Sequence, residues 1–148
     1  MPIKPENRAL YPKHWPAISL EAKKRAGWMC QHVGCTAHQY AVGSWMNYAD
    51  GPQFLALQGE LPKTYAEARQ LAAEQHFARY GDELTPPGEP KIIVIVLTVA
   101  HLNHDPTDCR PENLAAMCQR HHLAYDHDHH RRNAQATRRA KAGTLELF

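Results

Sequence analysis

Residues 97–126 read LTVAHLNHDPTDCRPENLAAMCQRHHLAYD, and the predicted order of secondary structure rests on this segment. An apolar run from Ile92 to Val99 overlaps its start and predicts a buried strand over 91–99. A polar loop occupies 100–112, and the apolar residues of 113–117 can form a returning strand. A helical pattern begins near Gln119, so the order of elements predicts a hairpin followed by a helix.

The sequence contains two pairs of candidate metal-ligating side chains, one far before this segment and one within it. Cys30 and Cys35 are separated by four residues, and Cys118 and His121 by two. Three thiolates and one imidazole are an accepted ligand set for structural Zn²⁺, so we predict a zinc site; buried cysteines without a metal are the alternative. Cys109 has no partner at short spacing, and we expect it to be free or to replace one of these ligands.

The 97–126 segment, together with residues 28–35, resembles the HNH endonuclease family. In that family a strand ends in a histidine, a loop returns through an asparagine, and a helix presents a second histidine, forming a ββα-metal unit. His101, Asn113 and His122 stand at those positions here. The two ligand pairs look like the pairs that bind structural zinc in many members, with His121 where the family usually has a cysteine.

The resemblance implies a role for each of these residues. His101 would be the general base that takes a proton from the attacking water, as an imidazole can near neutral pH. Asn113 would hold the loop and orient His101 through its side-chain amide. His122 would bind a divalent cation such as Mg²⁺ or Mn²⁺. The implied reaction is hydrolysis of a DNA phosphodiester bond, leaving a 5′-phosphate and a 3′-hydroxyl.

The sequence departs from the family at one metal-binding position. The residue before the base is usually Asp or His and ligates the cation, whereas here it is Ala100. Asp126 follows His122 by four residues, so on a helix both side chains would share one face; a surface carboxylate is the alternative. His104 and Asp105 are further candidate ligands. A histidine-rich site also tolerates Ni²⁺ or Zn²⁺, so the catalytic metal stays open.

Charge is distributed unevenly along a chain of net charge +2. Residues 40–90 carry seven acidic and three basic groups, whereas 131–141 carry five basic groups and no acidic one. A basic helix beside the site predicts phosphate contacts with DNA, and a solvated face is the alternative. The basic residues are Arg131, Arg132, Arg138, Arg139 and Lys141. His127, His129 and His130 are candidates for extra metal ligands, for phosphate contacts or for solvated residues, and we expect the last.

The whole chain of 148 residues fits a single α+β domain with helices flanking the hairpin. Ser19 is a candidate N-cap for a short helix over 19–26, and Thr64 with Glu67 forms a capping box for a helix that Gly81 ends. The C-terminal helix is expected to end at Gly143, with a break near 127–130. The predicted divisions are an N-terminal arm (1–16), an inserted segment with one helix (40–90), a ββα-metal core (91–130) and a basic helix and tail (131–148).

Composition sets the remaining expectations. No apolar run is long enough to span a bilayer, and the first 16 residues lack the apolar core of a signal peptide, so we expect a cytoplasmic protein without membrane contact.

Three functional hypotheses follow from the sequence. The first is a metal-dependent HNH nuclease that nicks DNA. The second is a zinc-stabilised nucleic-acid-binding or protein-interaction module that has kept the HNH fold and lost the catalytic activity. The third is a partner protein of a phage or mobile element whose acidic 40–90 segment docks on another protein. The oligomeric state stays open.

Overall fold

The computed structural model describes residues 3–146, with side chains over 3–143. The predicted α+β class is confirmed. After a 3₁₀ turn at Pro5–Leu10, the main elements are helices and strands that alternate along the chain. In chain order they are α1 (Trp15–Arg25), β1 (Val42–Tyr48), β2 (Gly51–Ala56), α2 (Tyr65–Tyr80), β3 (Ile93–Val94), β4 (Thr98–His101), β5 (Leu114–Met117) and α3 (Gln119–Glu146).

The ββα unit is formed by β4, β5 and α3. The two strands pair antiparallel, with Thr98 opposite Met117 and His101 opposite Leu114. A short 3₁₀ turn at Pro111–Asn113 precedes β5, and α3 begins two residues after β5 ends. α1 and α3 both contact this hairpin. The hairpin predicted from the sequence is therefore present, and it carries His101 at the end of its first strand.

The apolar run before the loop is divided between two sheets rather than forming one strand over 91–99. β3 pairs with β1, whereas β4 pairs with β5. Ile95 and Leu97 lie between the two sheets and are fully buried. The Ile95 amide donates to the Ala41 carbonyl, and the Leu97 amide donates to the Gln39 side chain. The run is continuously apolar because both sheets cover it.

The N-terminal expectations need correction. α1 begins at Trp15 rather than near Ser19, because Pro16 in its first turn suits the start of a helix and His14 takes the N-cap position. The predicted irregular arm over 1–16 therefore contains a 3₁₀ turn and the start of α1, while residues 1 and 2 lie outside the described part. The last turn of α1 carries the basic residues Lys23, Lys24 and Arg25, which suit the C-terminal end of a helix.

The inserted segment contains a β-hairpin that the sequence analysis did not predict. β1 and β2 pair antiparallel, with Trp45 opposite Phe54, and their rings meet edge to face at 5.5 Å. The predicted capping box at Thr64 and Glu67 is present and begins α2, which Gly81 follows.

The C-terminal helix α3 is longer than expected. It runs unbroken to Glu146, so neither the break near 127–130 nor the end at Gly143 is observed.

The β1–β2 hairpin depends on a close approach of the two strand backbones at Gly43. A Cβ atom there would lie 2.1 Å from the Leu55 carbonyl oxygen, which is backbone and cannot move aside. We expect Gly43→Ala to lower the free energy of unfolding by about 2 kcal/mol or more, as measured by urea denaturation. Gly143→Ala is the matched control, since a Cβ there meets open space and alanine favours a helix. Equal stability of the two variants would contradict this packing.

Candidate active site and metal cluster

A cleft of about 170 Å³ brings the predicted catalytic histidines together. His101 enters it from the end of β4, and His122 enters it from the first turn of α3. The loop between the strands and the N-terminal segment complete its walls. The lining residues are Asn7, Tyr11, Val99, His101, His104, Pro106, His122, Asp126, His129 and His130.

His101 lies largely buried at the cleft wall, with 8% of its surface exposed. Burial lowers the pKa of its imidazole, and the nearby carboxylates of Asp105 and Asp108 oppose this only in part. The ring therefore stays neutral at pH 7 and retains a lone pair that can accept a proton. Its Nε2 atom lies 3.6 Å from Sγ of Cys109, a weak hydrogen-bond partner.

Asn113 braces the loop that follows His101. Its side-chain oxygen accepts a hydrogen bond from the Asn103 amide at 3.1 Å. Its side-chain NH₂ donates to Oδ1 of Asn103 and to the Asp108 carbonyl. These bonds match the predicted loop-holding role, but they go to Asn103 and Asp108 rather than to the His101 ring.

His122, Asp126 and His104 form a chain of contacts across the cleft. Nδ1 of His122 hydrogen-bonds the Thr98 hydroxyl, so Nε2 is the nitrogen available in the cleft. That nitrogen lies 3.1 Å from Oδ2 of Asp126, and Nδ1 of His104 lies 3.2 Å from Oδ1 of the same carboxylate. The arrangement places one carboxylate between two imidazoles. Carboxylates and imidazoles are both ligands that divalent cations bind.

Other candidate residues fall in different surroundings. Ala100 is 1% exposed and packs in the hydrophobic core, so position 100 does not face the cleft. Asp105 is engaged by the amide and hydroxyl of Thr107. His129 and His130 line the cleft, His130 with an exposed side chain, and the His129 ring stacks on His104 at 4.3 Å.

A second cluster gathers three sulfurs and one imidazole on the other side of the first turn of α3. The ligand atoms of Cys30, Cys35, Cys118 and His121 all lie within 4.8 Å of one another. Nδ1 of His121 is 3.5 Å from Sγ of Cys30 and 3.3 Å from Sγ of Cys118. This donor set fits a tetrahedral Zn²⁺ ion, as predicted from the spacing. Cys109 lies beside His101 instead and is not part of this cluster, so it does not replace any of these ligands.

Hydrogen bonding within the cluster favours a thiolate. The contact with Cys118 lowers the pKa of the Cys30 thiol, and the same contact raises that of Cys118. Aromatic rings cover the imidazole ligand: His32 stacks on His121 at 3.8 Å, and Trp45 meets it edge-on at 5.6 Å. The inserted hairpin therefore packs directly against the cluster.

The basic stretch of α3 is exposed along its whole length from 131 to 141. It extends beyond the cleft-lining residues of the same helix. Its position beside the cleft agrees with the predicted arrangement, and its contact with DNA stays a prediction.

The sequence analysis missed the contribution of the N-terminal segment. Asn7 and Tyr11 line the cleft, and the Trp15 ring stacks on His101 at 4.9 Å. Tyr11 and Trp15 indicate that the N-terminal segment packs against the fold, but no local pattern in residues 1–16 indicates which side of the fold it packs against.

The cluster predicts different roles for two cysteines. Cys118→Ser should lose the bound metal and lower the free energy of unfolding by at least about 3 kcal/mol, since the cluster joins distant parts of the chain. Cys109→Ser is the matched control and should retain both metal and stability. Elemental analysis and thermal denaturation measure the two effects. A Cys118→Ser protein with unchanged metal content and melting temperature would contradict the assignment.

The comparisons with known proteins agree with this geometry. Residues 86–124 match the family model described as HNH endonuclease, a span that includes β3, β4, the connecting loop, β5 and the first turn of α3. No curated protein and no solved structure matches the chain. No helix among the described residues is both long and apolar enough to cross a membrane. The match over residues 86–124 therefore supports the resemblance to the HNH endonuclease family that the sequence indicates.

Proposed function

We propose that the protein is a metal-dependent endonuclease that hydrolyses phosphodiester bonds of DNA and nicks one strand. The observation that carries this proposal is the convergence of His101 with His122 and Asp126 in one cleft. One imidazole there is free of any carboxylate partner in the hydrogen bonds of residues 3–146, and the other is paired with one. A general base and a cation ligand need these two different environments.

His101 would accept the proton of the attacking water. Its neutral state at pH 7 follows from burial, which lowers its pKa. Asn113 would act on the loop and not on the ring, because its hydrogen bonds fix Asn103 and Asp108. The loop then holds the end of β4, and with it the backbone that carries His101.

His122 and Asp126 would hold the catalytic cation, with His104 as the donor closest to them from the loop. A divalent ion such as Mg²⁺ or Mn²⁺ would stabilise charge on the scissile phosphate and on the leaving oxygen. The Thr98 hydroxyl fixes the orientation of the His122 ring. Since Ala100 faces the core, the ligands must come from α3 and the loop.

The second cluster would hold a structural Zn²⁺ ion through Cys30, Cys35, Cys118 and His121. The arginines and the lysine of residues 131–141 would contact phosphates, since they are exposed and continue the helix that supplies His122. Such contacts position a DNA backbone without reading its sequence. The predicted divisions of the chain would then have separate roles. Residues 91–130 would form the catalytic core, the helix after them would contact DNA, and the insertion at 40–90 would be available to bind a protein partner.

A specific observation also favours the second hypothesis, a zinc-stabilised nucleic-acid-binding module without catalysis. Ala100 occupies the position that usually supplies a cation ligand, and it is buried among apolar side chains. This candidate predicts plasmid binding with no nicking and with no second metal ion per chain.

Plasmid nicking in the presence of Mg²⁺, Mn²⁺, Ni²⁺ or Zn²⁺ separates the two candidates. We expect the wild-type protein to nick supercoiled plasmid, and His101→Ala to lower the rate by about 10²- to 10⁴-fold without loss of fold, because the general base is removed. His127→Ala is the matched control, since that histidine is exposed and outside the cleft. Full activity of a metal-loaded His101→Ala protein would contradict the assignment of the base.

A further inference from the structure

Two aromatic rings from the N-terminal segment enclose the imidazole of His101. The Trp15 ring stacks on it, with centroids 4.9 Å apart and an interplanar angle of 24°. The Tyr11 ring meets it edge-on at 5.7 Å and also contacts Trp15 at 5.2 Å. The three rings therefore form one packed group at the wall of the cleft.

Polar contacts do little to hold the ring of His101. Among residues 3–146, its one side-chain hydrogen-bond contact is with Sγ of Cys109 at 3.6 Å, which is long and weak. His122, by contrast, is held at both nitrogens, by Thr98 and by Asp126. The plane of the His101 imidazole must therefore be set mainly by what packs against its faces.

Trp15 is well anchored for this task. It is the first residue of α1, and with Ile18 it packs against the buried cluster of Ala22, Val99 and Leu114. Val99 belongs to β4, two residues before His101, so α1 is fixed on the same strand that carries the base. Trp15 and Ile18 therefore each contribute their own contacts to the packing of α1 against this cluster.

We propose that Trp15 is a positioning residue for the reaction, stacking on His101 so that its ring nitrogens keep one orientation in the cleft. This inference rests on the proposed function, because it assigns His101 the role of base. The N-terminal segment is then one wall of the active site, although it lies outside the residues that match the family. Its effect is on the rate of the chemical step and not on DNA affinity.

Kinetics of three variants test the proposal. Trp15→Leu should lower kcat for nicking by on the order of 10- to 100-fold with KM unchanged, and Trp15→Phe should restore most of the loss by supplying a stacking ring. Ile18→Ala is the control, since it weakens the same buried cluster without touching His101 and should leave kcat unchanged. A loss of kcat in Ile18→Ala equal to that in Trp15→Leu would overturn the proposal.

A double-mutant cycle separates positioning from general damage. In a His101→Ala background, Trp15→Leu should have no further effect on the residual rate, because the ring that it positions is absent. The same fold loss in both backgrounds would show that Trp15 acts independently of His101 and would overturn the proposal.

Nuclear magnetic resonance provides a readout that does not need activity. The ring protons of His101 should be shifted upfield by the Trp15 ring current in the wild-type protein, should lose this shift in Trp15→Leu, and should keep most of it in Trp15→Phe. Wild-type and Trp15→Leu spectra with the same His101 shifts would overturn the inference. A wild-type protein that shows the expected shifts but nicks no plasmid would refute the proposed function while leaving the ring contact established.

Discussion

The first turn of α3 is fixed from two sides by neighbouring imidazoles. Successive residues of an α-helix differ by about 100° in direction, so His121 and His122 cannot face the same way. His121 reaches the three cysteines, whereas His122 reaches Thr98 and Asp126 in the cleft. Any movement of this turn would disturb both groups, and the geometry of the cleft therefore depends on the cysteine cluster.

The same constraint explains how a small core supports a long loop and an exposed helix. The cluster joins Cys30 and Cys35 to Cys118 across most of the chain, and it lies beside the buried residues of both sheets. Trp45 of the insertion packs on His121, so the added hairpin covers the cluster and does not approach the cleft. Metal binding would thus stabilise the insertion and the ββα unit together.

The sequence predicted the parts of the site that depend on local spacing. The ligand pairs, the capping box at Thr64 and the strand–loop–strand order after His101 all follow from short-range patterns. The β1–β2 hairpin was missed because its strands combine glycines with scattered aromatics and lack a clear alternation. The stacking of Trp15 on His101 was missed because a contact across more than 80 residues leaves no local pattern.

Position 100 shows how the fold and the site interact. A strand alternates its side chains between two faces, and Ala100 faces the core while His101 and Val99 face the cleft. Position 100 therefore offers no room for a metal ligand at the cleft. Under the proposed function, the ligands of a catalytic cation would come from Asp126 and His122 of α3 and from His104 of the loop, which the fold brings together.

The proposed chemistry requires His122 to ligate a divalent cation in the same cleft as His101. Electron spin-echo measurements on Mn²⁺ added to the zinc-loaded protein can detect this bond, because imidazole nitrogen bound to Mn²⁺ modulates the echo. We expect one Mn²⁺ site per chain with nitrogen modulation that is lost in His122→Ala and retained in His127→Ala. Bound Mn²⁺ without nitrogen modulation, or with modulation that persists in His122→Ala, would contradict it.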